Sequence, residues 1–447
     1  MHFIMRSFLV FAVSFIILVP VATAQDSLTL EQAIEAALKN NYDIQLTRND
    51  SASYALDNSY SWAAFLPQLN GTAGTTWNRN NQRLKFTKRS GGGDSSVTRD
   101  AVKTHNTQYS LALNWTLFDG LKMFATRNRL EELATLGELG VKNQVTNTVA
   151  AVINNYFNIV RQKQQLKAVE EQISINEERV KLADKKLSVG LGSKPELLQA
   201  RVDLNAQKAA QLQALTLIAQ LRDQLNQLIG FRQGASYQVS DSIPVNTTLQ
   251  FGELAQKFEE TNPALLFAKK NIDIARIVVK ERKAELFPTL SLNSAYNFTQ
   301  NDNSVAVNIN QPFYNQNKGF NYGLNLNIPI LNGFNTKRLI KQAQLDVRYQ
   351  QLAYDNQRSQ VEVGLGNSFK NYELQKRLLE LEQNNIELAK ENVMIALERF
   401  RQGVSTFLEL REAQISLQDA YNRLIAARYN TKLAETELLR LKGDLIR

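Results

Sequence analysis

The chain repeats itself. Phe65-Leu66-Pro67-Gln68-Leu69 recurs 221 residues later as Leu286-Phe287-Pro288-Thr289-Leu290, and Phe118-Asp119-Gly120 recurs 213 residues later as Leu331-Asn332-Gly333. The same 213 pairs Gly190 with Gly403, Glu196 with Glu409, Leu197 with Leu410, Ala200 with Ala413 and Gly230 with Gly443. From Gly120 to Gly230 the halves align without a gap, and the eight-residue difference falls between Pro67 and Gly120. Such self-similarity means one structural plan used twice, so each expectation is made in pairs. Residues 25–230 are expected to form the first repeat and 249–447 the second, with 231–248 as linker.

Helical signals dominate each half. Val145, Val152, Ile159, Leu166, Ile173, Val180 and Leu187 recur every seven residues, and Leu365, Tyr372, Leu379, Ile386, Val393 and Phe400 keep the same spacing. A sustained heptad implies long helices supercoiled against neighbours. From Gly120 to Gly190 a continuous helix would rise about 100 Å at 1.5 Å per residue, more than a globular core requires. The returning helices carry Leu197, Leu204, Ile218 and Leu225, and Leu410, Leu417, Leu424 and Leu438. Gly190 and Gly403 fit the left-handed residue that ends a helix. Ser193 to Glu196 and Thr406 to Glu409 read as capping boxes opening the next one, as does Thr29 to Gln32 near the N-terminus. Two long helical hairpins, 120–230 and 333–443, are expected.

Between the first helix and the hairpin of each half lie two alternating segments. Tyr109, Leu111, Leu113, Trp115 and Leu117 alternate with Ser110, Ala112, Asn114 and Thr116. Phe320, Tyr322, Leu324, Leu326, Ile328 and Ile330 alternate with small or polar residues in the second half. Weaker partners lie near 68–78 and 289–299. Segments of about ten residues, apolar on one side with aromatics near the ends, fit strands of a membrane β-barrel or of a soluble sheet with one buried face. The strands are therefore expected at about 68–78, 107–118, 289–299 and 320–331. Residues 79–106 are expected as an exposed loop, longer than its counterpart at 300–319.

The N-terminus reads as an export signal. Arg6 is followed by an apolar run from Phe8 to Val19 and by Ala22-Thr23-Ala24, so residues 1–24 are expected to be a signal peptide with Gln25 as the mature start. The run is too short for a spanning helix, and no later stretch approaches the roughly 20 apolar residues one needs. A crossing by this chain would have to use strands. Cysteine is absent, which removes disulfides and thiolate metal sites. The net charge of +9 invites a nucleic-acid reading, but bases and acids interleave along the helices. One basic cluster stands apart, with Arg79, Arg83, Lys85, Lys88 and Arg89 beside Gly91-Gly92-Gly93. With an export signal and no aromatic-bearing recognition motif, no nucleic-acid partner is expected.

Four strands cannot close a membrane barrel, since the smallest have about eight. An open edge in lipid leaves backbone groups unpaired at several kcal/mol each. The chain must therefore pool strands with copies of itself, eight in a dimer or twelve in a trimer, and a ring would also set the long helices side by side. The runner-up reading is a structural or adaptor-like periplasmic coiled-coil protein, which explains the hairpins but not the amphipathic strands.

Several short motifs make the chain resemble the TolC-like outer-membrane factor family over essentially its whole mature length. They are Leu28-Thr29-Leu30-Glu31-Gln32-Ala33 with Asn40-Asn41, the Phe-Leu-Pro-Gln-Leu motif ending at Leu69, and Leu117-Phe118-Asp119-Gly120. Val189-Gly190-Leu191-Gly192-Ser193 with Glu196-Leu197-Leu198-Gln199-Ala200 completes them. The resemblance implies a mixed α+β membrane protein: a homotrimer whose four strands per chain make a 12-stranded β-barrel in outer-membrane lipid, continued by an α-helical coiled-coil barrel. It implies a passive conduit for efflux or type I secretion, docked to a periplasmic adaptor (a membrane fusion protein) and driven by an inner-membrane RND or ABC transporter.

The resemblance also implies sites. The hairpin tips Gly190, Leu191, Gly192 and Ser193, and Gly403, Val404, Ser405 and Thr406, match the end where the adaptor docks. Glu409, Glu412 and Glu196 match the acids of a closing pore gate, although Glu196 and Glu409 also serve as capping residues and Glu412 could be a solvated face. The family's lock of a tyrosine hydroxyl and an arginine is not matched, because those positions hold Phe400 and Ser405. Nothing points to catalysis, a cofactor or a metal. His105, the lone histidine of the mature chain, falls in the segment expected to be a solvated loop. No phosphate-cradling glycine motif, ligand cluster or nucleophile elbow is present.

Overall fold

The computed structural model describes residues 27–86, 95–235, 237–305 and 312–445. The expected signal peptide, Gln25, Lys88, Arg89 and Gly91-Gly92-Gly93 lie outside them. Two short helices, α1 (Leu30–Asn40) and α2 (Tyr42–Ser59), lead into strands β1 (Gln68–Phe86) and β2 (Ser95–Phe118). Helices α3 (Lys122–Ser188) and α4 (Lys194–Ile229) follow, then α5 (Phe251–Ala255), α6 (Phe258–Thr261) and α7 (Pro263–Ala284). The plan then recurs as β3 (Thr289–Asn303), β4 (Tyr314–Asn327), α8 (Asn335–Arg401) and α9 (Phe407–Lys442). Helices α3 and α8 have 67 residues each and α4 and α9 have 36 each, so the duplication is kept to the residue. Among the described residues no helix is apolar enough over its length to cross a membrane.

The chain forms two compact bodies. One comprises residues 46–143 and 263–360 and holds a single antiparallel sheet of order β1-β2-β3-β4. In its first hairpin Gln68 faces Asn114, and in its second Thr289 faces Asn327. Adding 221 and 213 to the first pair yields the second, so the offsets read from sequence are also strand registers. Leu69, Leu111 and Leu113 share one face with Tyr109, and through the β2–β3 register with Phe298, Tyr296 and Leu292. Leu290, Leu324, Leu326 and Tyr322 extend that face across β3 and β4.

The strands are longer than expected. Arg79 to Phe86 and Ser95 to Asn106 continue the β1–β2 ladder, where a loop was anticipated, and Gln300 to Asn303 and Tyr314 to Gly319 do the same in β3 and β4. Alternation of apolar side chains ends near Trp77, but backbone pairing does not need it. Arg83, for example, faces Thr98, and Lys85 faces Ser96, beyond an irregularity between Asn80 and Gln82. At the other end β4 stops at Asn327, leaving Ile328 and Ile330 outside the ladder, just before Pro329 removes a donor.

The second body comprises the described residues up to 45, with 144–262 and from 361 onward. Its core packs Ala33 and Ala37 of α1 on Val149, Val152, Tyr156 and Ile159 of α3 and Leu225 and Ile229 of α4. Full burial of each leucine or isoleucine is worth roughly 1.5–3 kcal/mol. The Thr29 capping box is formed: the Gln32 amide N–H donates to Thr29 Oγ1 at 3.2 Å, and the Thr29 N–H donates to Gln32 Oε1 at 3.0 Å. The repeat reappears in detail. Asn41 Nδ2 donates to the Leu228 carbonyl at 2.9 Å, and Asn262 Nδ2 donates to the Leu441 carbonyl at 2.8 Å. Gly230 and Gly443 end α4 and α9 in the left-handed region, where a Cβ would lie 2.5 Å from Asn40 Cβ and 2.4 Å from the Thr261 carbonyl oxygen respectively.

Candidate functional site

The hairpin tips close alike. Gly190 and Gly403 have φ of 76° and 77°; the Leu191 N–H donates to the Lys186 carbonyl and the Val404 N–H to the Arg399 carbonyl. These are Schellman turns, where glycine meets no steric cost. Neither glycine has a neighbour near its Cβ position, and Leu191 and Val404 project into the open. The tips therefore present two exposed apolar side chains in equivalent places.

The two expected capping boxes differ. Thr406 Oγ1 accepts from the Glu409 N–H at 3.2 Å, but Glu409 Oε2 takes the Ser405 hydroxyl at 2.7 Å and lies 3.9 Å from Arg399. Ser193 makes no side-chain cap, so the box expected there is absent; Pro195 occupies the first turn and deprives it of one amide donor. Glu196 stays half-buried in the first turn of α4, and Glu412 is exposed one turn into α9. Of the three acids Glu409 is the one held by its own hairpin, and Glu412 is left outward.

Phe400 has no hydroxyl, yet it is buried and engaged. Lys186 Nζ donates to its carbonyl at 2.9 Å and sits 3.7 Å from the ring centroid, a cation–π contact of about 0.5–1 kcal/mol or more. Arg401 pairs with Glu178 beside it. Both contacts join the first hairpin to the second.

About two turns deeper lies a cluster that sequence reasoning missed. Arg179 of α3, 1% exposed, donates from Nη2 to Asp203 Oδ2 of α4 at 2.5 Å and from Nη1 to Gln414 Oε1 of α9 at 2.8 Å. Arg411 Nε adds a contact to Asp203 at 3.2 Å, and Gln199 donates to the other carboxylate oxygen at 2.8 Å. Burial, the strongest influence on both ions, depresses Arg179 and pushes Asp203 up. The bonds from Gln199 and Arg179 and the nearby guanidinium charges outweigh it for Asp203, which ends below its ordinary range. A signal existed in the spacing: Gln172, Asn176 and Arg179 form a buried second stripe on α3 that ends on Ala183, polar at three positions where a coiled coil is usually apolar.

His105 is corrected from solvated loop to strand. It lies in β2 with its ring stacked on Trp77, 5.1 Å between centroids and 6° between planes, and with Thr75 Oγ1 2.7 Å from Nε2. Its Nδ1 is 3.8 Å from Asp302. Pairing with β1 and β3 brought these groups together, which no local pattern announces. Among the described residues no group of three or more histidine, aspartate or glutamate side chains could hold a metal ion.

The sequence matches the outer membrane efflux protein family over residues 22–231 and 254–444, which leaves out little beyond the linker. It is similar to the outer membrane protein TolC of Vibrio cholerae, 24% identical over 414 residues that cover 89% of this chain and 86% of that one. It is also similar to protein CyaE of Bordetella pertussis, 24% identical over 430 residues, 95% and 86% of the two chains. The fold matches the outer membrane protein VceC of Vibrio cholerae at a TM-score of 0.74 and 15% identity, covering 93% of this chain and 96% of that one. The CmeC outer membrane channel of Campylobacter jejuni gives 0.74 at 18% identity, with 93% and 86% covered. Duplicated strands, duplicated helical hairpins and a family match across both repeats agree: the chain belongs to the outer membrane efflux protein family, as an outer-membrane channel protein.

Proposed function

We propose that three copies of the chain close one twelve-stranded barrel in the outer membrane, continued by a barrel of their helical hairpins. This conduit is passive and forms the outer part of an efflux or type I secretion assembly. The carrying observation is that contacts the first repeat makes with the second have no return counterpart, from the second repeat back to the first, within the chain. A Cβ on Gly120 would lie 2.4 Å from the Ala284 carbonyl oxygen and 2.7 Å from Phe287, whereas Gly333 has nothing within 4 Å. The repeat names the missing neighbours as Ala63 and Leu66, which a second copy would supply.

The helices carry the same asymmetry. Leu374, Leu381, Leu388 and Ile395 form an open heptad stripe on α8, each more than half exposed. On α3 the matching stripe, Arg161, Ala168, Ile175 and Leu182, is at least partly covered, and Arg161 stacks 4.6 Å from the Tyr429 ring of α9. Leu212 of α4 is 66% exposed, although its repeat partner, Ile425, is 4% exposed. The α8 stripe and the α4 face are thus the two halves of an interface between copies.

The same offsets specify the register. Within the chain Ser110 faces Asn297 and their side chains touch at 2.7 Å. Carried across the repeat, that pair becomes Gly323 of one copy and Thr76 of the next. Cysteines at both positions, in a chain that has no other, should crosslink on oxidation into covalent dimers and trimers. Within one chain they lie three strand spacings apart, about 14 Å across the sheet, and about 26 Å out of line along the strands, because Thr76 is level with Asn315, so they are beyond disulfide reach. Moving the cysteine at Thr76 to Thr72 shifts it about 13 Å along β1 and should abolish the product. Equal crosslinking from both positions would refute this register.

At the tips, the exposed Leu191 and Val404 with Gly190, Gly192, Ser193, Gly403, Ser405 and Thr406 form the docking surface for a periplasmic adaptor, through which an RND or ABC pump supplies the energy. Glu412, with Glu196 and Glu409 behind it, lines the gate. Glu412→Ala leaves the Thr406 cap intact and should weaken block of single-channel current by divalent cations. An unchanged block would leave Glu412 an ordinary surface acid.

A further inference from the structure

The Arg179 cluster borders a cavity of about 140 Å³, lined by residues of α3, α4 and α9 that include Gln172, Asp203, Gln207 and Arg411. That is room for a small ion with several waters. Three buried donors on its wall have no partner: Arg179 Nε, Gln172 Nε2 and Gln414 Nε2. Their side chains are 1%, 2% and 4% exposed. The Gln414 amide cannot be turned to hide its donor, because its oxygen already accepts from Arg179. A buried donor left without an acceptor is destabilising, so three on one wall call for an acceptor between them.

Charge decides what fills it. Two guanidiniums, the buried Arg179 and the partly exposed Arg411, face one carboxylate, Asp203, so the cleft carries one surplus positive charge. We propose that this cavity binds a small monovalent inorganic anion of halide size, held by the Arg179, Gln172 and Gln414 donors. The fourth orphan, Gln207 Oε1, is an acceptor and cannot face an anion. A water that donates one O–H to the ion and the other to Gln207 completes the set. Because α3 and α4 belong to the first hairpin and α9 to the second, the bound ion joins the two near their tips. Chloride concentration then becomes a condition on how firmly the hairpins hold together.

The probe is bromide. The purified full chain, crystallised with sodium bromide in place of chloride, should show an anomalous peak within hydrogen-bonding reach of Arg179 Nε. Thermal unfolding should shift upward in chloride or bromide relative to gluconate, too large for the cavity, at equal ionic strength. Gln172→Leu, which spares the Arg179–Asp203 pair, should weaken that halide dependence about ten-fold, and Arg179→Met should abolish it. If Arg179→Met fails to fold, Gln172→Leu carries the test alone. Water density with no anomalous peak, identical melting in the two salts, or full halide dependence in Gln172→Leu would each overturn the site.

Discussion

Arginine in place of Leu324 or Leu326 is expected to block assembly of the channel in the outer membrane, whereas arginine in place of Asn325 is tolerated. Leu324 and Leu326 project from the same face of β4, opposite to Asn325. That face continues through Leu292 and Leu290 of β3 and on to the apolar residues of β2. If it meets lipid, arginine near the bilayer midplane costs about 2–4 kcal/mol, and the energy returns with each copy in a ring. Asn325 would face the water-filled interior, where a charge stays hydrated. The readout is the amount of heat-modifiable protein in isolated outer membranes. Equal loss at all three positions would contradict the assignment of faces.

Asp203→Asn is expected to be the most damaging conservative change in the hairpins. It leaves Arg179 buried without its carboxylate partner, and removing one member of a buried pair costs about 3–5 kcal/mol. Combining Arg179→Met with Asp203→Asn should restore much of the loss, because the buried charge goes with its partner and an apolar side chain suits the coiled-coil environment. Denaturant unfolding followed by helical circular dichroism measures both. Asp203 lies below its ordinary range in the fold, so its contribution is complete above about pH 4 and fades as pH falls further. A midpoint for Asp203→Asn within a few tenths of a molar of the parent would mean the pair is merely decorative.

Much of this architecture was legible because the repeat supplied a check on itself. Phe65 to Leu69, Gly120 and Gly190 with their counterparts fixed two offsets, and those offsets describe the registers of both hairpins and the twin contacts of Asn41 and Asn262. Periodicity sees only side chains, however. It ended the strands where apolar alternation ended, while the ladder of Arg79 to Phe86 is held by backbone bonds that any residue but proline can make. Composition placed Ser193 correctly before a helix but not its hydroxyl, which leaves the cap unused. The groups around His105 and Arg179 come from three elements each, and tertiary contact alone assembles them. The open stripe on α8 was also hidden, since its leucines look like core until a single chain leaves them uncovered.

Whether copies of this chain pool their strands into a water-filled conduit is decided by planar-bilayer recording of the purified full-length protein. Discrete, long-lived conductance steps are expected from material that migrates as a trimer, retained when Gly323→Cys and Thr76→Cys are oxidised to link the copies. Protein that remains monomeric, adds no conductance to the bilayer and fractionates with the soluble periplasm would contradict it.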